Sequence, residues 1–380
     1  MDFDFTEDQV MLRGLVREFL TEQAPVAHVR AMMDDERGYD PDIYRRFVQL
    51  GMLPFPEEYG GAGLGMVEQA IILDEMGRIP YPGPYFATVV LAGSAIIASG
   101  DEKAMARYLP DVCDGGLTMT LAFLEDSIGW GPDEIALAAK KEGDAYVLNG
   151  IKRFVPFGHT ADVILVAART GGSGAEGISL IAVPRDADGL RIDKDVISDL
   201  TEKSATLHFE NARVPAENLL GAEGGAWPAV RTALQHAAVG ACAEMLGASR
   251  KSLEMSTDYA KVRKQFGQFI GQFQAVKHKL SEMLVAVENA HAATYYAAWA
   301  LDADAPDAAL AVSVAKSFVN GASRKVCGEA IQVHGGIGFT WEYDLHLYFK
   351  RAKYFEPLYG DLEAHRERVL QEVLAGHIAE

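Results

Sequence analysis

The segment YAKVRKQFGQFIGQFQAVKHK (Tyr259–Lys279) places Arg263, Lys264 and Gln265 just ahead of Phe266-Gly267, at the end of a long apolar-periodic run. A guanidinium presents a planar fork of donors to phosphate, and a neighbouring ring can stack on a flat heterocycle. The combination suits an anionic, planar ligand such as a flavin dinucleotide. A basic helix C-terminus facing its own dipole, with Gly267 as the stop, explains the same residues without a ligand. Further along, HGGIGF (His334–Phe339) closes another long helix with three glycines. A cap accounts for one of them, while several suggest close approach of the backbone to a ligand. From composition alone both explanations stand.

Other chemistries are missing. The chain has no Gly-x-Ser-x-Gly elbow, no HExxH helix and no P-loop. YGGAGLG (Tyr59–Gly65) is a loose dinucleotide fingerprint without a preceding strand, so it reads as a tight loop between helices. Asp361, Glu363 and His365 read as a solvated first helical turn, its acids favoured by the dipole, rather than as metal ligands. Cys113, Cys242 and Cys327 are odd in number and lack metal-site spacing. Cys242 and Cys327 lie in alanine-rich helical stretches and are expected to be buried free thiols.

The elements that must position these residues fall into three stretches. Residues 1–115 read as helices: Thr6 and Gln9 form a capping-box pattern, and Asp40-Pro41 opens another helix as N-cap and first residue. Over 116–225 the pattern changes to short β-branched strands, among them LTMTLAF, ADVILVAART, GISLIAVPR and SATLHFENARV, expected to pair as antiparallel hairpins. Residues 226–380 return to long helices with short breaks, the pattern of a bundle. The expected class is α+β: a helical domain, a middle antiparallel β domain and a C-terminal four-helix bundle. The net charge of −19, from 54 acidic and 35 basic residues among 380, argues against nucleic acid as a partner. No window is long and apolar enough for a membrane span, and MDFDFTEDQV offers no basic and apolar leader, so a cytoplasmic protein is expected.

RKQFG…FQAVKHKLSEM followed by QVHGGIGFTWEYDLHLYFKRAK resembles the acyl-CoA dehydrogenase family of flavoproteins, and PEEYGGAGLG and YVLNGIKRFV…ADVILVA are similar to it as well. The resemblance spans essentially the whole chain. It implies α,β-desaturation of an acyl-CoA thioester with FAD as hydride acceptor, a tetrameric assembly and electron-transfer flavoprotein as the onward acceptor. It also implies that Arg263, Gln265 and Phe266 hold the pyrophosphate and adenine side of FAD. Gln332, Gly335 and Gly336 match the Gln-x-x-Gly-Gly contact made to the cofactor of another subunit.

The departures from the pattern are as informative. Leu124-Glu125-Asp126 stands where the family has Thr-Glu-Pro, and Phe154 and Pro156 replace the tryptophan and threonine that flank the flavin. The catalytic glutamate, usually directly after an aromatic residue, is replaced by Gly360 after Tyr359. The alternative base position aligns with Ala237, and Ala238 stands where an arginine near CoA is usual. Gly360 is thus expected to leave open space for a bulkier substrate or a base from elsewhere. Glu244, two helical turns beyond Ala237, is the remaining acid: either a salt-bridged carboxylate between helices or a substitute base.

Three functions follow from the resemblance. The first is a base-less subunit working with a base-bearing homologue, as in heteromeric bacterial systems for bulky acyl-CoA substrates including steroid side chains. The second is a self-sufficient homotetramer with Glu244 as base, and the third a non-catalytic acyl-CoA binder or scaffold.

Overall fold

The computed structural model describes residues 4–376. Its helices begin where the capping residues are. Thr6 Oγ1 accepts from Gln9 N at 3.2 Å, while Thr6 N donates to Gln9 Oε1 at 3.0 Å, and α1 (Glu7–Gln23) follows. Helix α2 is Val26–Met33. Helix α3 (Pro41–Val48) starts from Asp40, whose carboxylate accepts from Asp42 N and Ile43 N. Helices α4 (Met66–Arg78), α5 (Ser94–Ser99) and α6 (Glu102–Cys113) complete the first stretch, with a fully buried π-helix at Phe86–Gly93 leading into α5. The C-terminal stretch holds α7 (Trp227–Val262), α8 (Gln274–Asp302), α9 (Ala308–His334), α10 (Leu345–Phe355) and α11 (Leu362–Leu374). Among the described residues no helix is long and apolar enough to cross a membrane.

The chain divides into two compact units. One gathers the described residues up to Ala31, then Gly65–Tyr81 and everything from Ala238 onward; the other holds Met32–Leu64 and Pro82–Ala237. Helices α1 and α4, early in the chain, therefore belong with the C-terminal helices.

In that helical unit, α4 and α7 touch backbone to backbone. A Cβ on Gly77 would lie 2.8 Å from the Glu244 carbonyl carbon, and one on Gly247 would overlap the Asp74 carbonyl oxygen. The crossing buries Asp74 and Glu75, which are neutralised by arginines. Arg17 forks onto Glu75 at 2.8 and 2.6 Å, while Arg13 and Arg250 approach Asp74 at 3.6 and 3.7 Å. Helix α4 has no side-chain cap of its own, because its N-cap is Gly65. Asp302, at the end of α8, supplies one: its carboxylate accepts from Met66 N at 2.6 Å and Val67 N at 2.9 Å. Asp302→Ala is expected to lower stability by about 1–2 kcal/mol, read as a shift in the denaturant midpoint.

The β unit is an eight-stranded sheet formed by β1 (Met119–Ala122), β2 (Ala138–Glu142), β3 (Ala145–Pro156), β4 (Val163–Arg169), β5 (Ile178–Pro184), β6 (Leu190–Lys194), β7 (Ser204–Pro215) and β8 (Leu219–Leu220). Its order is β6-β7-β3-β2-β4-β5-β8, with β1 beside β4. Tyr146, Leu148, Ile164, Val166, Leu207 and Phe209 lie in its core. Two parallel pairings, β2 with β4 at Ala138 opposite Arg169 and β1 with β4, correct the expectation of hairpins throughout. Strand β1 runs parallel to β4, from Met119 opposite Val163 to Ala122 opposite Val166. It is delivered from α6 rather than from a neighbouring strand, so no tight turn forces it antiparallel. Strand β6 went unrecognised in the sequence because LRIDK is short, exposed and charged.

Candidate active site

The RKQFGQF segment folds as a hairpin just beyond α7. Strands β9 (Lys264–Gln265) and β10 (Gln268–Phe269) pair antiparallel. Phe266 and Gly267 have φ of 51° and 82°, the two left-handed residues of a tight primed turn. Glycine takes such a φ freely, whereas phenylalanine is strained there. The turn nonetheless holds the Phe266 ring 93% exposed, with its edge toward Phe273 at 6.1 Å. Arg263 and Gln265 are exposed on the same hairpin. Among the described residues the Arg263 guanidinium has no ion-pair partner.

The glycine motif lies at the same end of this unit. The His334 ring, at the end of α9, stacks on Tyr259 near the end of α7, with centroids 4.4 Å apart. His334 Nδ1 lies 2.8 Å from Ala330 O and Nε2 lies 3.0 Å from Tyr343 OH. Both contacts are hydrogen bonds when Nδ1 carries the proton and the tyrosine donates. Gly335 then ends the helix at φ 64°. A Cβ on Gly335 or Gly336 would meet nothing within 4 Å, and Gln332 is exposed beside them. Hairpin and glycine loop thus form a surface with open backbone, exposed donors and an exposed ring.

Glu244 is held in a buried ion pair. Its Oε2 accepts from Arg351 Nη1 at 3.0 Å, and Arg351 Nη2 donates to Tyr81 O at 3.2 Å. Glu244 is 3% exposed and Arg351 0%. A buried guanidinium requires a counter-charge, and Glu244 supplies one. This pairing is the salt-bridged alternative that the sequence offered for Glu244.

The corner at residue 360 is also unlike the expectation. Gly360 is buried at φ 107°, directly after Tyr359 at φ 62°. A Cβ there would lie 2.6 Å from His365 Nε2 and 2.8 Å from its Cδ2. The space is therefore filled, not open. His365, expected on a solvated first turn, is 1% exposed. Its Nε2 lies 3.0 Å from Tyr359 O, so it carries the proton and donates. The ring turns inward because Asp361 caps α11, accepting from Ala364 N at 2.8 Å, which puts residue 365 on the helix's inner face. Among the described residues no cluster could hold a metal ion.

On the other side of the corner, Lys316 on α9 is wholly buried. Its ammonium donates to Asn320 Oδ1 at 2.8 Å, Phe355 O at 2.9 Å and Glu356 O at 3.1 Å, capping the C-terminus of α10. Burial lowers its pKa to about 8. The sequence signal was a lone lysine among apolar residues in AVSVAKSFV, a pattern that marks a buried charge in need of partners.

Burial and the nearby Arg368 and Lys316 charges push the His365 imidazole down to about 3 from 6.5. The unfolded chain therefore binds a proton at this ring below pH ~6.5 that the folded chain refuses until near pH 3, so stability is lost as the pH drops through that window. His365→Gln is expected to flatten this acid limb by about one proton, roughly 1.4 kcal/mol per pH unit near pH 5. Denaturant titrations at several pH values measure it.

In the β unit, Phe154 sits at an irregularity where the β3–β7 register shifts between Lys152 and Val155. Its φ is 49° and it is 45% exposed. The polar groups around it are used internally. Leu124 O accepts from Arg153 N at 2.8 Å, and Pro156 O from Thr120 Oγ1 at 2.7 Å. Buried Lys152, its pKa lowered by burial to about 8, donates to Phe123 O at 2.9 Å and Glu125 Oε1 at 2.7 Å. Glu125 in turn accepts from Ala136 N and Leu137 N. Ala237 and Ala238 are buried alanines without catalytic groups.

A helical unit bearing an arginine-led hairpin beside a Gly-Gly helix end, and an eight-stranded sheet, are the features that the resemblance to flavin-dependent oxidoreductases leads one to expect. Family profiles for the N-terminal, middle and C-terminal domains of acyl-CoA dehydrogenase match residues 6–116, 121–212 and 224–374. The chain belongs to the acyl-CoA dehydrogenase family, whose members depend on FAD. It is 32% identical to the "Probable acyl-CoA dehydrogenase YngJ" of Bacillus subtilis over 385 residues, covering 98% of this chain and 100% of that one. Butyryl-CoA dehydrogenase from Megasphaera elsdenii is 27% identical with a TM-score of 0.91, over 98% of this chain and 100% of that one. The Tcur3481-Tcur3483 steroid ACAD, in a glycine-to-alanine variant, is 29% identical with a TM-score of 0.87, over 98% and 99%.

Proposed function

We propose that this chain is the base-less subunit of a two-chain acyl-CoA dehydrogenase, desaturating an acyl-CoA thioester together with a base-bearing homologue. One observation carries the reading: position 360 holds a buried glycine packed on His365, and Glu244, the other candidate, is neutralised by Arg351. Removing the proton next to the thioester carbonyl needs a carboxylate within reach, so that group comes from the partner chain. The Tcur3481-Tcur3483 steroid ACAD, named for two components, is a relative of suitable kind and favours a bulky, steroid-like acyl group.

The residues present fit half of FAD. Arg263 would pair with the pyrophosphate, Gln265 and Phe266 would face the adenine side, and Gln332 with Gly335 and Gly336 would admit the cofactor close to the backbone. The open space around both glycines supports this. The ring half fits poorly: Leu124 has no hydroxyl, Pro156 has no N–H, and the carbonyls of both are already hydrogen-bonded within the protein. When bound, FAD supplies the hydride acceptor. This chain's contribution is to bind the dinucleotide end and to complete the partner's site, with electron-transfer flavoprotein as the onward acceptor in a cytoplasmic heterotetramer.

The test is the visible absorption spectrum of the chain purified alone and after co-expression with a base-bearing homologue. The expected result is little flavin alone, and flavin content near one per chain pair with acyl-CoA-dependent dye reduction after co-expression. A yellow, active chain by itself would instead establish a self-sufficient homotetramer. A chain colourless in both preparations would establish a scaffold or acyl-CoA binder.

A further inference from the structure

The corner at Gly360 is held from two sides by buried polar side chains. On one side the Lys316 ammonium grips Phe355 O and Glu356 O. Glu356 is held further by ion pairs with Arg324 and Lys353. The backbone leading to Tyr359-Gly360 therefore has no slack to move away. On the other side lies the His365 ring, with Nε2–H on Tyr359 O and Nδ1 buried without a hydrogen-bond partner. A buried ring with an orphan nitrogen is an expensive filler, since an apolar side chain would fill such a volume without stranding a polar atom. Its retention at 1% exposure points to the work of the other nitrogen and to the shape of the ring.

We propose that His365 is the positioning residue of this corner. It tethers the Tyr359 carbonyl and occupies the volume that a side chain at position 360 would enter. The absence of a carboxylate is therefore built into the packing and cannot be reversed by substituting residue 360 alone. The consequence for catalysis rests on the two-chain reading above; the packing itself does not. The charged groups around the ring are Arg368 from its own helix, Lys316 from α9 and Asp361 from the corner.

The test is a double-mutant cycle on the whole chain, with Gly360→Ala, His365→Ala and the pair, read as thermal midpoints. Gly360→Ala carries a φ penalty in either background, but the clash with the ring only where the ring is present. Its midpoint shift is expected to be at least twofold larger with His365 in place than in the His365→Ala background. Equal shifts overturn the proposal. If Gly360→Ala alone does not accumulate folded, the pair decides: recovery of folded chain supports the assignment and equal loss overturns it.

A second readout separates positioning from simple filling. In the native chain the labelled His365 ring should not titrate between pH 8 and 5, whereas in Gly360→Ala the displaced ring should titrate near its ordinary value of about 6.5. A ring that stays silent in the folded variant overturns the proposal. Neither measurement needs a cofactor or partner. Failure here is therefore distinct from failure of the two-chain reading, which the absorption spectrum decides.

Discussion

Replacing Gly247 with valine is expected to leave the chain unfolded or insoluble. At this point α7 crosses α4 so closely that a Cβ on Gly247 would overlap the Asp74 carbonyl oxygen and lie 2.8 Å from Arg78 N. Both are main-chain atoms of a helix, so no side-chain rotation relieves the clash and the helices must part. Their separation would uncover Asp74 and Glu75, whose charges the arginines neutralise only while the crossing is closed. Overpacking plus exposed ion-pair partners belongs to the rare substitutions costing more than about 4 kcal/mol. The measurement is soluble yield and helical circular dichroism. Gly14, in α1, is the control: a Cβ there meets nothing within 4 Å, so Gly14→Ala should stabilise by up to ~1 kcal/mol. A soluble, fully helical Gly247→Val chain would sink the backbone-contact argument.

Removing the Glu244 carboxylate is expected to be the second most damaging change. Glu244→Ala removes the carboxylate that accepts from the Arg351 guanidinium at 3.0 Å, while that guanidinium stays buried at 0% exposure. Breaking a buried pair from one side costs about 3–5 kcal/mol, whereas replacing both partners by apolar groups of similar size is often close to neutral. The Glu244→Met/Arg351→Met pair should therefore recover most of the midpoint lost by Glu244→Ala. A catalytic Glu244 predicts the opposite pattern: Glu244→Ala folded as well as the parent but inactive. Calorimetry of the three variants separates the two.

The two glutamate positions show what could be read in advance. An acid inside VGACAEMLGA had to be paired or functional, because burial of a lone carboxylate is prohibitive. Which of the two it was depended on Arg351, 107 residues away in sequence, whose side chain is indistinguishable in LHLYFKRAK from its solvated basic neighbours. His365 is the sharper miss. Next to Asp361 and Glu363 it looked like part of a solvated turn, yet the turn of α11 that carries it points one residue inward and its neighbours outward. Polarity of neighbours is a poor guide to burial on a helix, where the face repeats every three to four residues.

By itself the sequence determined the order of helical and β stretches, the caps at Thr6 and Asp40, the hairpin and glycine motifs, the family, and the absence of a carboxylate at position 360. These follow from local propensity, periodicity and residue identity, which act over a few residues. Only the tertiary structure decided what those positions face. Asp302 caps a helix more than two hundred residues earlier, Gly247 receives another backbone, Glu244 answers Arg351, and Gly360 meets an imidazole instead of empty space. Each of these depends on which distant atoms share a volume from which water is excluded, and that is a property of packing rather than of any local stretch of chain.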